Sequence, residues 1–152
     1  MFSKIIVCDK LLKSLKIFPV EEKSSFPYWA SHWLSFQLVA LKLGVWKFRH
    51  LFHDIEKPFL RLFLPYEKVR RYHRKYHRHH RTYRNPEKIQ WLDLIIDNEC
   101  GIYTKEDSPM NARAYCEWLI ENDKKDRHLI IENALPLLDK LGLTEPFNRD
   151  QK

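Results

Sequence analysis

The chain has 152 residues, of which 44% are hydrophobic and 14% aromatic, and its net charge is +7. Such bulk excludes a disordered chain, and the length suits one domain with its own core. Only three Gly argue against a turn-dense all-β architecture, and Cys8, Cys100 and Cys116, odd in number and far apart, read as reduced cytoplasmic thiols rather than a disulfide frame or zinc knuckle.

Residues 1–20 contain "MFSKIIVCDKLLKSLKIF", which charge interrupts every few residues. This predicts a peripheral amphipathic helix packed on the body, with neither a signal core nor a membrane span. No membrane partner is therefore expected. In 26–43, Trp29, Trp33, Phe36, Val39, Ala40 and Leu43 recur at helical spacing, and Gly44 is a stop. The pattern predicts a second helix over 45–57, "VWKFRHLFHDIEK", ended by Pro58, and a third from about Phe59 to Tyr83 with a break near Pro65. Asn85 and Pro86 read as the cap and first position of the next helix. Ser108 and Pro109 read the same way for the one after it. The last helix, 126–143, is expected to kink or split at Pro136, and the tail 144–152 to be loose. The expected architecture is all-α: one domain over 1–152, with about six or seven helices.

The charge is local. Residues 68–84 hold eight Lys or Arg and no acid, and the rest of the chain carries −1. Ordinary helix surfaces interleave both signs. Arg with interspersed Tyr suits phosphate contacts and base stacking, so nucleic acid or an acidic protein is a candidate partner. At about 100° per residue, Tyr66, Val69, His73, Tyr76 and His80 fall on one face. His77 lies on its shoulder and His79 further round. Two imidazoles on an inward face need partners.

Metal-ligand chemistry is concentrated in His32, His53, Asp54, His73 or His80, and Asp97. Adjacent His and Asp can share one ion, and imidazole plus carboxylate suits Mn, Fe, Co, Ni or Zn. Each residue also has a plainer reading. Asp54 could pair with Lys57 on a helix surface. His32 could be a satisfied interior histidine. Asp97 could be a helix-end carboxylate bonded to backbone or to an Arg. His73 and His80 could join tyrosines in a polar network. His50 reads as surface, and His128 falls near the start of the last helix. Lys57, Asn111 and Arg113 are candidate anion contacts, for which solvent or ion pairing is the commoner fate.

These residues carry a resemblance. His32, then His53-Asp54, then Asp97 resemble the motif of the HD-domain superfamily of helical metal-dependent phosphohydrolases, and "HDIEKP" looks like its HDxxK variant with Lys57 in the Lys position. More closely, His32 to Arg113 resembles a family of short, uncharacterised bacterial and phage proteins carrying HDxSKF, paired histidines and DWEC…TKxDxPLNAR. The matching strings are "HDIEKPF", "HRHHRTYRNP" and "DNECGIYTKEDSPMNAR". Asn98 stands where that family has an aromatic residue, and Glu56 where it has a small one. The resemblance implies an HD-like fold with metal ligands His32, His53, Asp54 and Asp97. It implies a phosphohydrolase acting on a nucleotide or other phosphate ester. Asp54, Lys57 and His80 are then the expected catalytic groups, with His73, His77 and His79 as secondary ligand candidates. Arg70, Arg74, Arg81 and Arg113 are the expected anion-binding set. The alternative is a small basic helical protein that binds nucleic acid or an acidic partner through 68–84, with a structural or degenerate His/Asp cluster.

Overall fold

The structure, a computed structural model, describes residues 2–151. They form helices and turns with no strand, only isolated bridges at Phe18–Lys105 and Met110–Asn148. Among them no helix is long and apolar enough to cross a membrane.

Helix α1 (Phe2–Lys13) lies on α2 (Phe26–Lys42), which starts where the Ser25 hydroxyl accepts the Tyr28 N–H at 3.2 Å. Gly44, at φ 70°, follows its end as the pattern predicts. Helix α5 (Trp91–Thr104) packs along α2, and Phe36, Val39 and Ala40 meet Ile96 and Cys100, joined by Cys8 and Leu12 of α1. The opposite face of α5 presents Ile95 to α6 (Ala112–Asn122) and to the last helix, α7, through Ala112, Cys116, Leu119, Ile130, Ala134 and Leu138. Helix α7 begins at Arg127–Leu129, widens into a π stretch over Ile130–Ala134 and closes as Leu135–Lys140. Pro136 has no N–H to give the preceding turn, and the wide turn accommodates the missing bond without breaking the helix.

Two expected helices are corrected. The 45–57 segment is a short 3-10 turn (Phe48–Phe52), after which His53 leaves helical geometry at ψ 123° and Asp54 adopts φ 59°. Pro58 does not end a helix but sits in the first turn of α3 (Glu56–Leu60), where a missing N–H costs nothing. The 59–83 helix is only α4 (Tyr66–Tyr76), entered through Pro65. Its terminal carbonyls are taken over by the returning chain: Arg74 accepts from the Thr82 hydroxyl at 3.2 Å and Lys75 from the Arg84 N–H at 3.1 Å. Residues 77–90 therefore run back as turns, and the helical angles assigned to His79 and His80 do not apply.

Two caps also move. Pro86–Lys88 is a 3-10 turn ahead of α5, and α6 is capped by Asn111 rather than Ser108, its side chain accepting from Ala114 N at 2.9 Å. Asn111 is thus a structural cap and not an anion contact. It also donates to Glu145 O at 3.0 Å and accepts from Phe147 N at 3.0 Å. Arg149 donates to the carbonyls of Ile102, Lys105 and Glu106 at 2.8–3.2 Å. The tail expected to be loose is tied down from Glu145 to Arg149.

Candidate metal centre

The site is organised by one face of α2. Trp29, Trp33 and Gln37, spaced four apart, donate side-chain N–H groups to the carbonyls of Asp54 (2.9 Å), Leu51 (3.0 Å) and His50 (2.7 Å). These bonds let an irregular turn be buried without orphaned carbonyls. On the neighbouring stripe, Phe36 stacks flat on the His53 ring, with centroids 3.6 Å apart. The turn so held points the Asp54 side chain inward from a left-handed backbone conformation, one that Asp tolerates better than most residues. Asp54 is the only non-glycine among the described residues with positive φ.

Asp54 is 2% exposed, and its carboxylate meets imidazoles on two sides. On one side are His32 Nε2 at 3.7 Å and His53 Nε2 at 3.6 Å, with Asp97 Oδ1 a further 2.9 Å from His32 and 3.7 Å from His53. On the other side are His73 Nε2 at 2.9 Å and His79 Nε2 at 3.3 Å. His80 completes that side, its Nδ1 4.0 Å from Asp97 Oδ2. Ligand atoms of His32, His53 and Asp97 lie within 4.8 Å of one another, as do those of His53, Asp54 and His79, and of His73, His79 and His80. These buried groups could hold a metal ion.

The donor set fits such an ion. His53 Nε2, Asp54 Oδ1 and His80 Nε2 are buried without an aligned hydrogen-bond partner, although other donor atoms converge on them. An orphaned buried polar atom is costly, and a shared cation removes that cost. Burial, helped by Lys105, pushes the His32 pKa down to about 4, against the pull of Asp97. Burial does the same to His79, also to about 4, and takes His80 well below its usual value. Neutral imidazole is the form that ligates. Burial alone would raise both aspartates, but His53 and Lys57 beside Asp54, and Lys105 beside Asp97, hold both carboxyls well below the usual range. Cys100 adds no thiolate. Its Sγ lies 3.6 Å from His32 Nδ1, and burial pushes the thiol far up.

Two cations stand against the carboxylates. Lys57 pairs with Asp54 Oδ2, and Lys105 lies 3.7 Å from Asp97 Oδ1. The Lys57 pairing agrees with the plainer reading as well as the functional one, but Asp54 is interior, not on a helix surface. His73 is held from behind by Glu56, which accepts at Nδ1 and leaves Nε2 facing Asp54. Burial opposes protonation of His73, and Asp54 and Glu56 outweigh it, so its pKa is raised. His77 stacks on His73 at 4.3 Å and lies 3.4 Å from Glu56, half-exposed behind the centre.

A cleft of about 720 Å³ opens over the centre. Its floor includes His32, Asp54, His73, His79, His80 and Asp97, and its walls carry Lys57, Arg70, Arg74, Arg81 and Lys105. Arg81 is largely committed to Asp123 and to Asp126 at 3.6 Å. Arg113 is corrected: it lies outside the cleft, bonded to Glu117 and Asp139 at 2.6 Å each. His50 is corrected too. It is 2% exposed, accepts the Lys47 N–H at Nδ1 and lies 3.3 Å from Asp93. His79, expected further out, is 7% exposed and inside the centre, whereas Tyr76, expected inward, is 39% exposed.

The structure thus brings His32, His53, Asp54, Asp97, His73, His79 and His80 together, leaves His77 behind them against Glu56, and adds Glu56 and Lys105. The signal for Lys105 was present in the "TKED" string. The signal for Asp93 and Asp97 is their spacing of four within an apolar run. The chain matches no protein-family model, no curated protein and no solved structure.

Proposed function

We propose that this chain is a metal-dependent phosphohydrolase of HD-like type, acting on a nucleotide or other phosphate ester. The observation that carries the reading is Asp54, buried where the two imidazole groups meet, at the floor of a cleft walled by cations. His32, His53, Asp54 and Asp97 would hold a divalent ion such as Mn, Fe, Co, Ni or Zn. His73, His79 and His80 offer donors for a second ion that shares Asp54. A bound ion would supply Lewis acidity at the cleft floor.

The remaining chemistry belongs to the chain. Lys57, Arg70 and Arg74 orient the phosphate group and offset charge that builds on it. Arg74 carries no acid partner among the described residues, and Arg70 has only Glu67 at 3.6 Å, so both are free to turn to a ligand. Glu56 accepts from His73 Nδ1 and fixes the orientation of the ring, which keeps Nε2 on the cleft side. Burial keeps His80 neutral, which suits it to ligation better than to proton donation. Trp29 at the cleft wall excludes water around the ester.

Phosphate release from p-nitrophenyl phosphate, bis-p-nitrophenyl phosphate and a nucleotide panel, after loading with Mn, Ni or Zn, tests this. Turnover is expected with at least one metal, and Lys57→Ala should lower it by about 10²-fold or more while leaving metal uptake intact. A metal-loaded protein that hydrolyses none of these esters would contradict the hydrolase reading and leave the metal centre standing.

A further inference from the structure

The chain from Glu56 to Leu64 winds almost continuously, with Arg61 N bonded to Lys57 O at 3.0 Å and Leu64 N to Leu60 O at 2.9 Å. Ile55, Phe59, Leu62 and Phe63 recur along it at the spacing that places side chains on one helical face. That face looks outward. The four are 39%, 64%, 75% and 83% exposed, and α3 contains no buried residue. Phe52 and Phe48, 57% and 69% exposed with ring centroids 5.7 Å apart, extend the strip. Scattered exposed apolar residues are ordinary, but a run of six within sixteen positions marks a contact surface.

The charge beside the strip selects what covers it. From Lys57 to Arg84 the chain holds ten Lys or Arg and one acid, Glu67. Arg61, Arg70 and Arg74 share the cleft wall with Leu62, so the apolar strip and the cations meet at one edge. A second copy seated here across a two-fold axis would bring two like-charged segments together, which opposes association. A nucleic acid would satisfy the charge but has no use for Ile55 and Leu62, which offer no ring for stacking. Protruding Phe and Leu tips flanked by Lys and Arg fit the boundary between headgroups and acyl chains of an acidic bilayer.

We propose that the edge formed by α3 and α4, with Phe59, Leu62 and Phe63 as the inserting residues, docks on an anionic lipid surface. This contact needs no spanning helix, and none is present among the described residues. It departs from the expectation of no membrane partner, which rested on spanning segments alone. It also turns the cleft mouth, where Leu62 and Arg74 lie, toward the bilayer. The contact stands on α3 and α4 and does not depend on the metal reading.

Flotation of the full chain with vesicles of phosphatidylcholine alone, or with about one-third phosphatidylglycerol, tests the contact. Binding to the acidic vesicles is expected to exceed binding to the neutral ones by about tenfold or more and to fall with added salt. A combined Phe59→Ser, Leu62→Ser, Phe63→Ser variant should lose most of that binding without a lower melting temperature, because these side chains bury little. A combined Arg70→Gln, Arg71→Gln, Arg74→Gln variant should lose it as well. Equal or absent flotation with both vesicles would overturn the proposal. So would a dimer that the serine variant converts to monomer, which assigns the strip to a second copy. Retention of a single-stranded oligonucleotide without lipid binding, abolished by the arginine changes, would assign the edge to nucleic acid instead.

Discussion

Helix α5 joins two buried interiors that are differently made. On one face Ile95, 0% exposed, meets Ala112, Leu119 and Leu138, all apolar and all on regular helices. On the other, Asp97 at 8% meets His32, His53 and Lys105, and the neighbouring Asp54 and His79 come from turns. The apolar face is complete in itself, because its contacts need no counterpart. The polar face concentrates carboxylates and imidazoles whose lone pairs converge, and it leaves three of their buried atoms without an aligned partner. Burial therefore says little about what a region is for; the chemistry of what is buried says more.

Ile95→Ala deletes a fully buried side chain from the self-sufficient face, and a loss of about 2–5 kcal/mol is expected in denaturant unfolding. The loss should be the same with or without added metal. A metal-dependent loss would mean that the two interiors are coupled through α5 and are not separate.

Acid sharpens the contrast next. His32 and His79, at about 4 in the folded chain against 6.5 when free, stay neutral where the unfolded chain takes up protons. Metal-free stability should therefore fall as pH drops from 6.5 toward 4. His73 works in the opposite sense: its pKa is raised, so its contribution is present below 6.5 and lost as pH rises through its folded value. His50, His77 and His80 are lowered as well, so five depressed rings against one raised ring give a net fall, read as melting temperature against pH. A melting temperature that is flat or rises over that window would contradict the assignment of neutral imidazoles to the centre.

The smallest effect belongs to Glu99, a carboxyl on α5 away from the centre. Its Oε2 accepts the Ala112 N–H at 3.0 Å, yet burial pushes its pKa up from 4.5. A raised folded value means stability that is present below the unfolded pKa and lost as pH rises through the folded one. Glu99→Gln keeps the acceptor and removes the charge, so it should stabilise the chain by about 1 kcal/mol at neutral pH. The gain should vanish near pH 4. A gain that persists there would show that packing, and not ionisation, sets the difference.

Much of this was legible in the residues, and unevenly so. The apolar spacing of 26–43 pointed to α2, and the Asn85-Pro86 start pointed to a helix whose body is α5, though its first turns are not helical. His32, His53, Asp54 and Asp97 were identifiable as a set. The path between them was not. No Pro or Gly interrupts 66–84, so nothing in the pattern announces that α4 stops at Tyr76. Its end is set by Thr82 and Arg84 returning to its carbonyls, a contact between segments that periodicity cannot carry. His79 was misplaced for that reason alone. The bend at Asp54 was hidden in the same way, because Trp29 and Trp33 read as part of an apolar helix face, and neither they nor Gln37 read as donors to three carbonyls. Glu56, noted only as a departure from the HDxSK pattern, proved to be the residue that orients His73.

Whether Asp54 joins the two ligand groups around a metal is decided by paired melting curves. The wild type and Asp54→Asn would be melted without metal and with Mn, Ni or Zn. Asn keeps the size of the side chain and tolerates the left-handed backbone, so the change removes the charge and little else. At about 100 times its Kd, an ion that binds only the folded chain adds about 2.7 kcal/mol, a clear rise in melting temperature. That rise is expected in the wild type and its loss in Asp54→Asn, whatever the baseline stability of the variant. No rise with any of the three ions, or a full rise retained by Asp54→Asn, would contradict that role for Asp54.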